Sequence, residues 1–144
     1  GTQGIAGVLS TEYLSLEIGD DPKIVEVDDY ITWDSKYIEQ SKVLSSSKDF
    51  KKIEIVNAGI YYVSYSLEVK SNADEIIVEF CQNERTKAYK IADVDPDKSV
   101  VISDSILIKT NGIATEQLSI RNGKDSKLTV LNFSFTIFKI ADIS

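Results

Sequence analysis

Apolar and polar residues alternate along most of this chain, and the period is two. Leu14, Leu16 and Ile18 alternate with Ser15 and Glu17, and Ile24-Val25-Glu26-Val27 follows the turn signal Asp20-Asp21-Pro22. That period sends successive side chains to opposite faces, so both segments read as half-buried strands. Ile31-Thr32-Trp33 begins another, and the serine-rich stretch from Ser41 to Asp49 reads as a loop with a short strand at Val43-Leu44. The longest alternation runs from Ile60 to Lys70, bounded by Asn57-Ala58-Gly59 and Ser71-Asn72-Ala73-Asp74. Tyr61, Val63, Tyr65, Leu67 and Val69 share one of its faces. Ile60, Tyr62, Ser64, Ser66 and Glu68 share the other, which begins apolar and becomes polar. Strands are predicted further over 75–82, 87–92, 100–109, 114–121 and 127–140, with turn residues between them. A series of about eight to ten strands with no competing amphipathic helix predicts an all-β domain, a two-sheet antiparallel jelly-roll sandwich.

The closing segment is apolar in both phases. One parity carries Leu131, Phe133, Phe135 and Ile137, and the other carries Leu128, Val130, Phe138 and Ile140. One face fills a sandwich core. The other either meets a second subunit or is covered by the chain's own loops, because an exposed apolar face of this size marks an interface.

Composition narrows the function more than the fold. The length of 144 residues fits one domain. With a net charge of −7 and only two arginines, Arg85 and Arg121, the chain lacks the clustered cations that phosphate binding needs, so nucleic acid is set aside. No apolar run approaches the ~20 residues of a membrane span. No signal peptide is visible, and because the sequence starts at Gly1 without Met, that says nothing about secretion. One cysteine, Cys81 within Ile76-Ile77-Val78-Glu79-Phe80-Cys81, rules out an intrachain disulfide and reads as a small buried residue. Zero histidines remove Ser-His-Asp and Cys-His nucleophile systems and the usual zinc sites. Catalysis would rest on carboxylates, Lys or Tyr, and no spacing assembles them, so the expectation is a protein that is not an enzyme.

A few local patterns suggest sites. Gly1, Gly4 and Gly7 fall in the three-residue register of collagen, where only glycine fits the triple-helix axis; a cloning scar or a flexible tail reads the same residues. Residues 1–9 are therefore a remnant of a collagen-like stalk or a tail, and 10–144 the head. Asp93, Asp95 and Asp97 alternate in one loop and offer the oxygen ligands that calcium prefers, but Lys98 stands where an EF-hand loop needs glycine, which favours a solvated acidic loop. Asp20-Asp21 and Asp28-Asp29 bear the same two readings. Trp33, flanked by Tyr30 and Tyr37, either stacks on a sugar or fills the core. Asn132-Phe133-Ser134 matches a glycosylation sequon, but a glycan inside a strand would block packing.

Ile53, followed by Gly59-Ile60-Tyr61-Tyr62-Val63-Ser64-Tyr65, resembles the core motif of the C1q/TNF-like jelly-roll superfamily, an aromatic and then Gly-x-Tyr-x-Phe-x-Tyr. Ile53 and Val63 stand where that motif commonly has aromatics. Phe133 to Ile140 looks like the superfamily's closing inner-sheet strand, and the likeness covers Leu14 to Ile140. Within the superfamily it is most similar to the heads of bacterial collagen-like (BclA-type) spore glycoproteins. The resemblance implies a homotrimer packed through its inner sheets, often on a collagen-like stalk, with Ile53, Gly59, Tyr61, Val63 and Tyr65 in the core. It implies a trimer contact made by Tyr62 and Ser64 with Phe133, Phe135 and Ile137, and it keeps calcium open, since some members hold it. The implied role is a non-catalytic, surface-presenting head on a bacterial cell or spore, meeting a host protein or glycan. The alternatives are a trimeric receptor-binding ligand or phage fibre tip and, less favoured, a glycosidase with paired carboxylates.

Overall fold

The computed structural model describes residues 12–34 and 37–143, so Gly1, Gly4 and Gly7 lie outside the described residues. Eleven strands and no helix are found among the residues it describes. In chain order they are β1 (Tyr13–Glu17), β2 (Lys23–Val25), β3 (Tyr37–Gln40), β4 (Leu44–Ser46), β5 (Ile53–Ile55), β6 (Ala58–Lys70), β7 (Glu75–Gln82), β8 (Arg85–Asp93), β9 (Val100–Asn111), β10 (Glu116–Asn122) and β11 (Leu128–Ala141). All pairings are antiparallel. A front sheet runs β3-β1-β11-β6-β9, with β2 pairing the start of β11, and a back sheet runs β4-β5-β10-β7-β8.

Alternation along β6 shows how the sequence selects this arrangement. Its burial switches residue by residue from Ala58 to Lys70, and Gly59, Tyr61, Val63, Tyr65, Leu67 and Val69 all point between the sheets. They meet Ile76, Val78 and Phe80 of β7, Leu118 and Ile120 of β10, and Ile53 and Ile55 of β5 in one apolar core. Each large apolar side chain buried there contributes roughly 1.5–3 kcal/mol. Gly59 is not a turn residue: it sits in the strand, and an added Cβ would lie 2.7 Å from Lys139 Cε and 3.0 Å from the carbonyl oxygen of Ala141. Glycine is needed there so that β11 can approach, and not for a turn into β6.

The structure corrects the strand reading in two places. Ile31-Thr32-Trp33 forms no strand; the segment crosses the gap between the sheets, held by the Ile31 amide on the Ile120 carbonyl (2.8 Å) and the Trp33 amide on the Phe50 carbonyl (3.1 Å). Ile31 and Trp33 plug the core from that side, and the indole N–H of Trp33 donates to Ser46 Oγ at 2.7 Å, so the tryptophan is not offered to a sugar.

The second correction concerns β11. Its ladder with β6 shifts between Val130 and Asn132, leaving Leu131 as the extra residue of a β-bulge. The bulge reverses the parity. Leu128 and Val130 before it, and Phe133, Phe135 and Ile137 after it, therefore all face the same core. The strand that is apolar in both phases has one main apolar face, and its chain covers that face itself.

Candidate interaction surface

The outward face of the front sheet is organised in rows, because antiparallel register places facing residues on the same side. The first row reads Gln40, Tyr13, Phe138, Tyr62, Leu107 across β3, β1, β11, β6 and β9. The second reads Ile38, Ser15, Thr136, Ser64, Ser105, and the third, across β1, β11, β6 and β9, reads Glu17, Ser134, Ser66, Ser103. Beyond them lie Asn132, Glu68 and Val101. The face thus passes from aromatic through mainly hydroxyl positions to Asn132 and Glu68 along its central strands, with Ile38 and Val101 exposed at its edges. A glance at the outward positions of β6 alone, Ile60 to Glu68, shows the same gradient in sequence.

The first row is apolar yet left in water. Leu107 is 63% exposed and Phe138 37%, with Ile140 at 52% beside them. Tyr62 and Phe138 pack against each other at 5.2 Å between ring centroids and a 36° tilt. Their hydroxyl partners are local: Tyr62 donates to Ser105 Oγ and Tyr13 to Gln40 Oε1, each at 3.0 Å. In the second row Ser15 and Thr136 hydroxyls lie 3.1 Å apart.

Of the side chains expected in a subunit contact, the structure places Tyr62 and Ser64 on this face, half-buried. Phe133, Phe135 and Ile137 are 1%, 1% and 0% exposed within the single chain and are therefore unavailable to a partner. The Leu131 bulge is the reason. Phe138, which the sequence places on the parity opposite to Phe133, Phe135 and Ile137, and Tyr13 and Leu107, which alternation alone does not mark, stand in the row instead. The three strands that carry them, β11, β1 and β9, are far from β6 in sequence, so only the register brings them together.

Ile53, Gly59, Tyr61, Val63 and Tyr65 lie in the core. Burial pushes the Tyr61 phenol up to about 12, and the Tyr65 phenol still further. Tyr61 hydrogen-bonds Asn57, whereas the Tyr65 hydroxyl has no partner among the described residues. Cys81 is buried, and its thiol is pushed up by burial.

The other outer face is mixed, with Tyr89 and Ile91 of β8 exposed beside a network of charged and polar pairs. On the back sheet Arg121 Nε donates to Glu79 at 2.9 Å and its Nη2 to Thr86 at 3.1 Å; Lys52 pairs with Glu84 at 2.8 Å and lies 5.4 Å over the Tyr30 ring. The Glu79 hydrogen bond holds the Arg121 guanidinium above its ordinary pKa. Asn83 and Glu84, the two tip residues of the β7–β8 hairpin, both have positive φ, 54° and 67°. That geometry usually selects Asn-Gly, so the Lys52 and Tyr30 contacts hold a glutamate where glycine would be easier.

Asp93 and Asp95 line an open cleft of about 480 Å³ with Asp74 and Glu75, at the end of the sandwich away from Tyr13. Asp97 is exposed on the same loop, and Asp95 pairs with Lys98 at 3.8 Å. Among the described residues no three acidic or thiol side chains converge on a point that would hold an ion, so the calcium reading of Asp93, Asp95 and Asp97 gains no geometric support.

The chain superposes on the Eiger TNF of S. frugiperda with a TM-score of 0.70 at 12% identity, covering 92% of this chain and 96% of that one. The globular domain of zebrafish complement 1qA matches with a TM-score of 0.72 at 10% identity, covering 92% and 99%. The fold is the C1q/TNF-like jelly roll. Comparison of the sequence with family profiles and with curated proteins finds no match. At these identities the C1q/TNF-like likeness is one of architecture, carried by the two sheets and their order.

Proposed function

We propose that this chain is a non-catalytic head that trimerises through the outward face of its front sheet and presents its loop end to the surroundings. The observation that carries the reading is the row Tyr13, Phe138, Tyr62 and Leu107, an apolar stripe left in water on a face whose neighbour in the fold class is another copy. The β1–β2, β6–β7, β8–β9 and β10–β11 loops gather at the opposite end from Tyr13 and Ala141, so a trimer clasped by its front sheets projects three sets of them in one direction. Threefold repetition multiplies a weak contact by avidity, a mechanism that needs no catalytic group.

The setting we propose is a collagen-like filament on a bacterial cell or spore surface, with the head bringing three stalk chains together. The Gly1, Gly4, Gly7 register and the BclA-type likeness of the motif at Gly59 to Tyr65 support it. Sedimentation at micromolar concentration tests the core of the reading: a trimer is expected, and a stable monomer overturns it. A screen against matrix proteins and glycans then tests for the partner at the loop end.

A further inference from the structure

Two Asn-Gly pairs occur in this chain, Asn111-Gly112 at the end of β9 and Asn122-Gly123 at the end of β10. Such a pair is chemically labile. Glycine has no Cβ to crowd its amide nitrogen, so that nitrogen can close on the side-chain carbon of the asparagine before it. The fold treats the two pairs differently.

Asn122 is 0% exposed. Its Nδ2 donates to the carbonyls of Val25, Glu26 and Ser126 at 2.8 to 3.4 Å, and its Oδ1 accepts the Lys124 amide at 3.1 Å. The Gly123 amide, the nitrogen that would attack, donates to the Ile77 carbonyl at 2.9 Å. Leaving group and nucleophile are both held. Asn111 is instead exposed, together with every residue from Gly112 to Thr115, and neither its Nδ2 nor the Gly112 amide has an acceptor among the described residues. Its Oδ1 accepts the Ile113 amide at 2.9 Å, which sets a donor where negative charge forms when Cγ is attacked. The turn also holds the glycine in place. Gly112 has a φ of 73°, and a Cβ there would lie 2.8 Å from the Ala58 nitrogen, so the fold retains the residue that makes Asn111 reactive.

We propose that Asn111 is a site of spontaneous covalent modification, converting through a succinimide to aspartate and isoaspartate, while the fold protects the same sequence at Asn122. The Gly112 nitrogen bonds to Asn111 Cγ, the Cγ–Nδ2 bond breaks, and Nδ2 leaves as ammonia with the proton given up by the Gly112 amide. Water then opens the ring. Its hydroxyl adds to Cγ to leave aspartate, or to the main-chain carbonyl carbon to leave isoaspartate, and its proton returns to nitrogen. Either product adds a negative charge to a chain already at −7. That charge stands beside Glu116, whose Oε2 accepts the Asn111 amide at 3.1 Å and whose Oε1 accepts Gln82 Nε2 at 2.7 Å. Isoaspartate also adds a carbon to the backbone where Asn111 pairs with Ala58, which loosens the end of the β6–β9 ladder.

The test compares the two pairs within one molecule. The folded protein is held in mildly alkaline buffer, circular dichroism confirms that it stays folded, and peptide mass spectrometry follows the change from amide to acid at each asparagine. Asn122 is expected to convert at least about 100-fold more slowly than Asn111, because its reaction waits for local opening of β10. In denaturant the two are expected to convert at similar rates, since the fold then protects neither. Asn111→Gln, whose extra methylene removes the five-membered ring closure, is expected to abolish the ammonia released by the folded chain. Asn122 converting as fast as Asn111 in the folded chain overturns the proposal. So does an Asn111 that stays intact in the folded chain for the time in which both convert in denaturant. Neither result depends on whether the heads form a trimer.

Discussion

The two outer faces of this sandwich solve the same problem in opposite ways. On the back sheet, Arg121, Glu79, Thr86, Lys52, Glu84 and Tyr30 form a network of polar contacts, beside which Tyr89 and Ile91 of β8 stand exposed. On the front sheet, the outward row of Tyr13, Phe138, Tyr62 and Leu107 carries no charge, and Leu107 and Phe138 in it are exposed. A solvated face is expected to be polar, and a face that another protein covers is expected to be aromatic at its centre. The charged network on the back sheet and the uncharged row on the front sheet are the contrast on which the proposed contact through the front sheet rests.

The largest effect tests the layer the two faces share. Phe135 is buried between the sheets, and Phe138, three residues on, is on the front face. Phe135→Ala is expected to destabilise the folded chain by about 3–5 kcal/mol, as other large-to-small core changes do, and chemical denaturation measures it. Phe138→Ala is expected to leave monomer unfolding within about 1 kcal/mol of wild type, since surface changes do little, while weakening association. Equal losses of monomer stability for the two would mean that β11 has no partner-facing side.

That pair also shows what was legible in the sequence and what was not. Alternation at Leu14 to Ile18 and at Ile60 to Lys70 is visible because a half-buried strand imposes it, and the Gly59 to Tyr65 motif carries the fold. The three-residue β5 and the fully exposed β3 have too little alternation to declare themselves. The bulge at Leu131 was the costly omission: a single unpaired residue reverses every later side chain, and it exchanges Phe133, Phe135 and Ile137 for Phe138 at the surface. Nothing in Val130-Leu131-Asn132 signals it, because the shift is fixed by pairing with Val69 and Glu68 on another strand.

A second experiment probes the core beneath both faces by titration. Tyr61 and Tyr65 are neutral and buried, with pKa values raised by that burial. In the unfolded chain a tyrosine ionises near 10, so above about pH 10 deprotonation favours unfolding. Stability is expected to be unaffected by these two groups below pH 10 and to fall as the pH rises toward 12. Absorbance of tyrosinate against pH checks it. Two of the seven tyrosines should appear only together with loss of structure. Seven that titrate together while circular dichroism is unchanged would contradict the burial.

The smallest effect distinguishes the back face from the other. Arg121 and Glu79 form an ion pair at 2.9 Å whose side chains are 22% and 23% exposed. Arg121→Ala removes that pair and the Thr86 contact, and the expected cost to folding is about 1 kcal/mol, because partly exposed pairs contribute little. Association of the heads should be unchanged, since the back sheet faces away from the proposed contact. Salt separates the two faces in the same direction. Raising ionic strength screens the Arg121–Glu79 and Lys52–Glu84 pairs and slightly lowers the unfolding midpoint of the wild type, but it leaves a contact through the uncharged aromatic row intact or strengthens it. Sedimentation at low and high salt, on wild type and on Arg121→Ala, reads both quantities. If salt dissociates the heads as it lowers the midpoint, the charged sheet and not the aromatic one makes the contact, and the assignment of the two faces is reversed.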